Sequence, residues 1–199
     1  AATHGARFDF GQAGDYSVQL ILTTPLGSEY PVQERISLTA DGPADHDYCA
    51  AGSVVDGLYI RKVGIHHKGL WNILINSSAV GAEQGYTLYG SELLKQALPR
   101  GETIWISVTA VGSATSSKKI GAWLDLNQNH RFDIDENIYL TGGNNPATTW
   151  IEVALPVDAP TGPTRLRLIV KSDAVPDACE LISLDQGSGE AEDYIVIIE

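Results

Sequence analysis

An all-β fold is what this 199-residue sequence predicts, on three observations: charged residues make up only 19%, 20 glycines and 9 prolines punctuate the chain, and β-branched runs recur between them. The spacing of the strand candidates and of the turn signals between them predicts a β-sandwich of jelly-roll or Greek-key type with an accessory N-terminal β segment. The length suffices for one large β domain or for one domain with a smaller companion.

In chain order, the N-terminal segment, residues 1–42, opens with Phe8 and Phe10. It continues with Tyr16, Val18, Leu20 and Leu22 alternating with more polar neighbours, the period of a half-buried strand. Ile36-Ser37-Leu38-Thr39-Ala40 reads as a further strand, with turns at Gly11–Asp15 and Pro25–Ser28. Three strands are too few to stand alone. Asp41-Gly42-Pro43-Ala44-Asp45 reads as a joint, after which residues 43–199 form the sandwich. Strands are predicted there over Leu58–Val63, Trp71–Asn76, Thr103–Val111, Lys119–Leu124, Asn137–Leu140, Thr149–Val153, Thr164–Val170 and Ile195–Ile198. One short helix is predicted over Gly90–Pro99, capped by Ser91 and stopped by Pro99.

The formal charge of −12, with only 13 scattered Lys and Arg, argues against nucleic-acid binding, which needs clustered cations. No apolar run is long enough to span a membrane as a helix. The N-terminus has neither the basic nor the apolar region of a signal peptide, which reads as a mature product or a piece of something longer. Cys49 and Cys179 lie 130 positions apart, far from any zinc-knuckle or CxxC spacing. One long-range disulfide, formed in an oxidising compartment, is the preferred reading; by chain entropy such a loop gains about 5 kcal/mol. Two buried free thiols are the alternative.

The most informative motif is Asp125-Leu126-Asn127-Gln128-Asn129-His130-Arg131-Phe132-Asp133-Ile134-Asp135-Glu136, with side-chain oxygens at positions 1, 3, 5, 9 and 12. A hard cation takes six to eight oxygens, so Asp125, Asn127, Asn129, the Arg131 carbonyl, Asp133 and a bidentate Glu136 form a candidate Ca2+ set. An exposed turn rich in Asn and Asp for local backbone bonding is the alternative. His130 stands where such loops carry glycine and must take a positive φ there or let the loop curl differently. The flanks read as strands, so the expectation is a calcium-pinned hairpin and not an EF-hand.

Glu190, Glu192 and Asp193 cluster before the last predicted strand, with Glu190 and Glu192 on one face and Asp193 on the other. They are candidate second-layer groups for the ion, or else a hydrogen-bonded closure of the sandwich. Arg165 and Arg167 share one face of their strand and are expected to pair with this cluster. His66-His67 reads as a turn between strands. Trp105 and Trp123 are expected in the core, whereas Trp150, Tyr86 and Tyr89 are candidate ligand-stacking residues. HExxH, GxSxG and P-loop motifs are all absent, so no catalytic residue is named.

Arg7-Phe8-Asp9-Phe10 through Ala13–Leu20, with Gly27 and Ile36-Ser37-Leu38, resembles the closing half of a PKD domain. A longer series comprises Tyr48-Cys49, Gly57–Val63, Gly85-Tyr86-Thr87, Leu98–Glu102, Trp123–Phe132, Pro160–Arg167, Cys179 and Gly189-Glu190-Ala191-Glu192-Asp193-Tyr194. This series resembles the GEVED domain, named for that closing motif, with Ala191 in the place of its valine. The resemblance implies a β-sandwich module of secreted bacterial proteins, appended to peptidases, other extracellular hydrolases or surface proteins, without catalytic activity of its own. The family usually has Asp-Gly where Asn129-His130 stand here. The expectation is therefore a calcium-stabilised accessory module attached to a catalytic or surface domain, outside the cell. The alternative is a binding module for an extracellular polysaccharide or a fibrous protein.

Overall fold

The computed structural model describes residues 48–53, 57–68, 72–78, 85–112, 118–140, 148–172, 174–182 and 187–199, and the backbone of 14–23 and 29–38. The chain divides into two compact units, Ala1–Ala44 and Asp45–Glu199. In the first, β1 (Gly14–Thr23) and β2 (Glu29–Leu38) form an antiparallel hairpin running from Gly14 opposite Leu38 to Thr23 opposite Glu29. The alternating run from Tyr16 to Leu22 falls on β1; the strand expected near Phe8 and Phe10 lies outside the described residues.

The second unit holds β3 (Gly52–Ser53), β4 (Leu58–His67), β5 (Leu74–Asn76), β6 (Tyr86–Tyr89), β7 (Thr103–Gly112), β8 (Lys118–Leu124), β9 (Asn137–Leu140), β10 (Thr148–Ala154), β11 (Gly162–Ser172), β12 (Leu181–Ile182) and β13 (Gly189–Ile198). Two sheets form the sandwich, one ordered β10-β7-β4-β5 and the other β6-β13-β11-β8-β9, beside a short parallel pair of β12 and β3. The class is all-β, as composition and spacing predict. Alternation sends Ile104, Ile106 and Val108 of β7, Ile151 and Val153 of β10, and Ile60, Val63 and Ile65 of β4 toward Leu166, Leu168 and Val170 of β11 and Val196 and Ile198 of β13. In β4 the register shifts between Ile60 and Lys62, a bulge that lets both Arg61 and Lys62 face solvent while Ile60 and Val63 stay inside.

The five-stranded sheet is covered on its other face too. There Ala51, Ile169, Ala178, Ile182 and Ala191 pack with Trp123, supplied in part by the segments around Cys49 and Cys179. A disulfide joins those two residues, with their Cα atoms 5.3 Å apart. Consequently β11 is buried on both faces from Thr164 to Ser172, and β13 from Gly189 to Tyr194.

Three local expectations are corrected. The last strand begins at Gly189 and not Ile195, so the acidic cluster lies inside it. The helix expected over Gly90–Pro99 is only a 3-10 turn, Ser91–Leu93, with Gly90 and not Ser91 at its N-cap. Strand pairing overrides helix propensity in that segment. Lys95 donates its N–H to the Ile73 carbonyl, and Leu98 exchanges bonds with the Ile197 carbonyl and the Glu199 N–H. His66-His67 ends β4 instead of forming a turn, opposite Trp105 and Ile104.

Candidate functional site

The loop between β8 and β9 folds on its own side chains. Asp125, fully buried, accepts from the Asn129 N–H at Oδ1 (3.2 Å) and from the His130 N–H at Oδ2 (3.0 Å). Asn127 Oδ1 accepts the Asn129 N–H at 2.9 Å, and Asn129 Oδ1 accepts the Arg131 N–H at 2.8 Å. These short-range bonds hold Gln128 and His130 at φ of 57° and 63°, so of the two options His130 takes the positive φ. Asn127 and Asn129 then both aim their amides at Asp133 Oδ2, at 3.2 and 2.7 Å. Tyr48, 77 positions upstream, donates its hydroxyl to Asp125 Oδ2, and the Asp125 N–H bonds the Arg165 carbonyl. Tyr48 is a site residue that no local motif marks.

The loop side chains expected to hold a cation are therefore together, and an all-oxygen set suits a hard divalent ion. Each asparagine oxygen that accepts one N–H keeps a second lone pair. Among the described residues no group of three or more His, Cys, Asp or Glu is placed to hold a metal, so a site here relies on Asn127, Asn129 and the Arg131 carbonyl to complete it. Glu136 departs from the bidentate role expected of it. Its Oε1 accepts the Leu126 and Asn127 N–H groups, and Oε2 the Asp133 N–H, in a capping box that starts the 3-10 turn Ile134–Glu136. Burial raises the pKa of this carboxyl, against the pull of those N–H donors.

The acidic strand does not turn toward the loop. Glu190 faces the inter-sheet core and accepts the Ile60 N–H at 2.6 Å, next to the β4 bulge. Glu192, on the same face, accepts from Tyr194 (2.7 Å) and Ser78 (2.8 Å), while Asn76 donates to the Tyr194 hydroxyl. Desolvation raises both carboxyls, Glu190 to about 7. It also pushes the Tyr194 phenol far up, with Glu192 adding to the effect.

Asp193 faces the other side and takes a two-point contact from Arg167, Nε to Oδ1 and Nη2 to Oδ2, both 2.7 Å. Arg165 Nη1 (3.3 Å) and the Tyr86 hydroxyl (3.0 Å) complete it. The pairing expected from the Arg165 and Arg167 alternation is present. Among the described residues no hydrogen bond joins Glu190, Glu192 or Asp193 to a side chain of the Asp125–Glu136 loop, and each carboxylate takes other donors. Tyr48 lies over the Arg165 guanidinium at 4.4 Å and Phe132 of the loop over that of Arg167 at 4.7 Å, so these two rings roof the buried ion pair.

The aromatic candidates separate. Trp150 is 57% exposed on the outer face of the four-stranded sheet, with its ring 5.0 Å from that of His66. His66 lies toward Ser107, 3.0 Å from its hydroxyl, in space left by Gly64, where a Cβ would sit 2.5 Å from His66 Nε2. Trp105, opposite His66 and Glu152, is half-buried on this same outer face and not in the core as expected, whereas Trp123 is buried under the disulfide-linked cover. Tyr86 and Tyr89 are half-buried in β6 of the other sheet, Tyr86 bonded to Asp193 and Tyr89 stacked on Tyr194 at 4.9 Å. They share no surface with Trp150.

No curated protein matches the chain. Residues 119–197, from β8 through β13, do match the family model of the GEVED domain, and this match contains both the oxygen-rich loop and the acidic strand that gives the family its name.

Proposed function

We propose that the chain is a non-catalytic accessory module of a secreted bacterial enzyme or surface protein, stabilised by Ca2+ held in the loop from Asp125 to Glu136. The observation that carries this reading is the closeness of Asp125, Asn127, Asn129 and Asp133 in one curled loop, where the amide nitrogens of Asn127 and Asn129 donate to Asp133 Oδ2 and an ion would take their oxygens instead. Asp125, Asn127, Asn129, Asp133 and the Arg131 carbonyl supply the oxygens, and Glu136 clamps the backbone behind them. The bound ion would offset the mutual repulsion of these carboxylates and tie the ends of β8 and β9. The GEVED match supports an accessory role. The disulfide, and the lack among the described residues of any helix long and apolar enough to cross a membrane, are compatible with a place outside the cell.

Thermal unfolding with calcium and with a chelator tests the proposal. Calcium at a hundredfold excess over its Kd stabilises by about 2.7 kcal/mol, and Asp133→Ala abolishes the difference. A wild-type melting temperature indifferent to both additions defeats the calcium reading.

The exposed Trp150 beside His66, on the sheet face that also carries Trp105, favours a second reading, in which the module grips an extracellular polysaccharide or a fibrous protein on the four-stranded sheet. Retention on insoluble polymers that falls on Trp150→Ala supports it; lack of retention on every polymer leaves the accessory reading alone.

A further inference from the structure

Two arginines on the outer face of β11 are treated differently by their surroundings. Arg167 uses its Nε–Nη2 edge to hold both oxygens of Asp193. Arg165, two residues earlier on the same face and 0% exposed, gives only Nη1 to that carboxylate. Its own Nε and Nη2, the equivalent edge, are buried and have no hydrogen-bond partner. Nearly all buried polar groups are satisfied, and a buried guanidinium edge is among the costliest to leave open. The charges are unbalanced in the same sense, since Arg165 and Arg167 share Asp193. Asp125 is the other buried carboxylate near this cluster, joined to Tyr48, but it gives the open edge of Arg165 no hydrogen bond. Its carboxylate is taken by Tyr48, Asn129 and His130, and among the described residues Arg165 forms an ion pair with Asp193 alone.

Arg165 and Arg167 are among the residues that line a pocket of about 270 Å3, with Tyr48, Cys49, Ala50, Ala51 and Tyr86, where Ala50 is exposed. We propose that the pocket is a binding site for a small carboxylate, which the Nε–Nη2 edge of Arg165 grips with two parallel hydrogen bonds as Arg167 grips Asp193. The chemistry is that of a planar two-oxygen anion against a planar fork, with the second guanidinium adding positive potential. The ligand supplies the two acceptors that the Nε and Nη2 of Arg165 lack. Tyr48 joins this site to Asp125 of the loop, and the site is separate from the surface around Trp150.

Acetate titration of the full chain at constant ionic strength, followed by the Arg165 Nε–H resonance in nitrogen-correlated NMR, tests the proposal. The resonance is assigned by its disappearance in Arg165→Lys. A saturable shift with acetate that chloride does not produce is expected. Ala51→Leu, which fills the pocket, and Arg165→Lys, which keeps the charge and removes the fork, both weaken acetate binding by about tenfold or more, read for the lysine variant on the Arg167 Nε–H. No saturation in the wild type overturns the proposal. So does acetate affinity unchanged in either folded variant.

Discussion

The two faces of β13 bury carboxylates side by side in one strand and hold them by opposite means. Asp193, on the covered outer face, stays among cations, gripped by Arg167 and Arg165 under an aromatic roof. Glu190 and Glu192, on the inner face, are held by a backbone N–H and by hydroxyls, with no cation paired to either among the described residues. A carboxylate facing the apolar core without a counter-charge is driven toward its neutral form, which explains the rise of Glu190 to about 7. The outer face therefore depends on charge pairing and a covalent cover, and the inner face on neutral hydrogen bonds that span the sandwich.

The sharpest way to break this contrast is Asp193→Asn, which leaves two buried guanidinium groups uncompensated. A loss of about 3–5 kcal/mol in urea unfolding is expected. Removing the cover's staple by Cys49→Ala with Cys179→Ala is expected to cost somewhat less, about 3 kcal/mol, below the chain-entropy figure because the unfolded chain retains structure, measured in the same way under non-reducing conditions.

The inner face responds with the opposite sign. Folded Glu190 keeps its proton up to about 7, against an ordinary value of 4.5, so the folded state holds more protons than the unfolded state between those values. Its contribution to stability is complete below the ordinary value and is lost as pH rises through about 7. Glu190→Gln keeps an acceptor for the Ile60 N–H without the ionisation. It is expected to stabilise on the order of 2 kcal/mol at about pH 8, with the gain vanishing on acidification. Glu192 moves in the same direction, so part of the pH slope survives in the variant. The smallest effect expected is from Tyr194→Phe, which removes one donor to Glu192 and costs about 1 kcal/mol by thermal melting.

Much of this arrangement was legible in the sequence. Runs of strand-forming residues between turn signals located β7, β8 and β10, and the alternation of Arg165 and Arg167 with leucines anticipated their shared carboxylate. The first half of β13 was hidden because its buried residues are Glu190, Glu192 and Asp193, which look like solvated loop by hydropathy. The Ser91–Pro99 segment carries helical signals, but its N–H groups are captured by carbonyls of distant strands, a contest that propensity does not encode. In the loop, oxygen spacing identified Asp125, Asn127, Asn129 and Asp133 as neighbours, whereas the clamp formed by Glu136 depends on a 3-10 turn too short to leave a pattern. Tyr48 is joined to Asp125 only by the tertiary fold.

The disulfide has one more consequence. Every strand from β3 to β11 lies between Cys49 and Cys179, so the covalent bridge turns most of the second unit into a closed ring. A protease that cuts one peptide bond within that ring opens it without releasing a fragment. The nicked molecule keeps its full mass plus one water, and two bands separate on a gel only after reductant is added. A module built this way stays in one piece after a first cleavage.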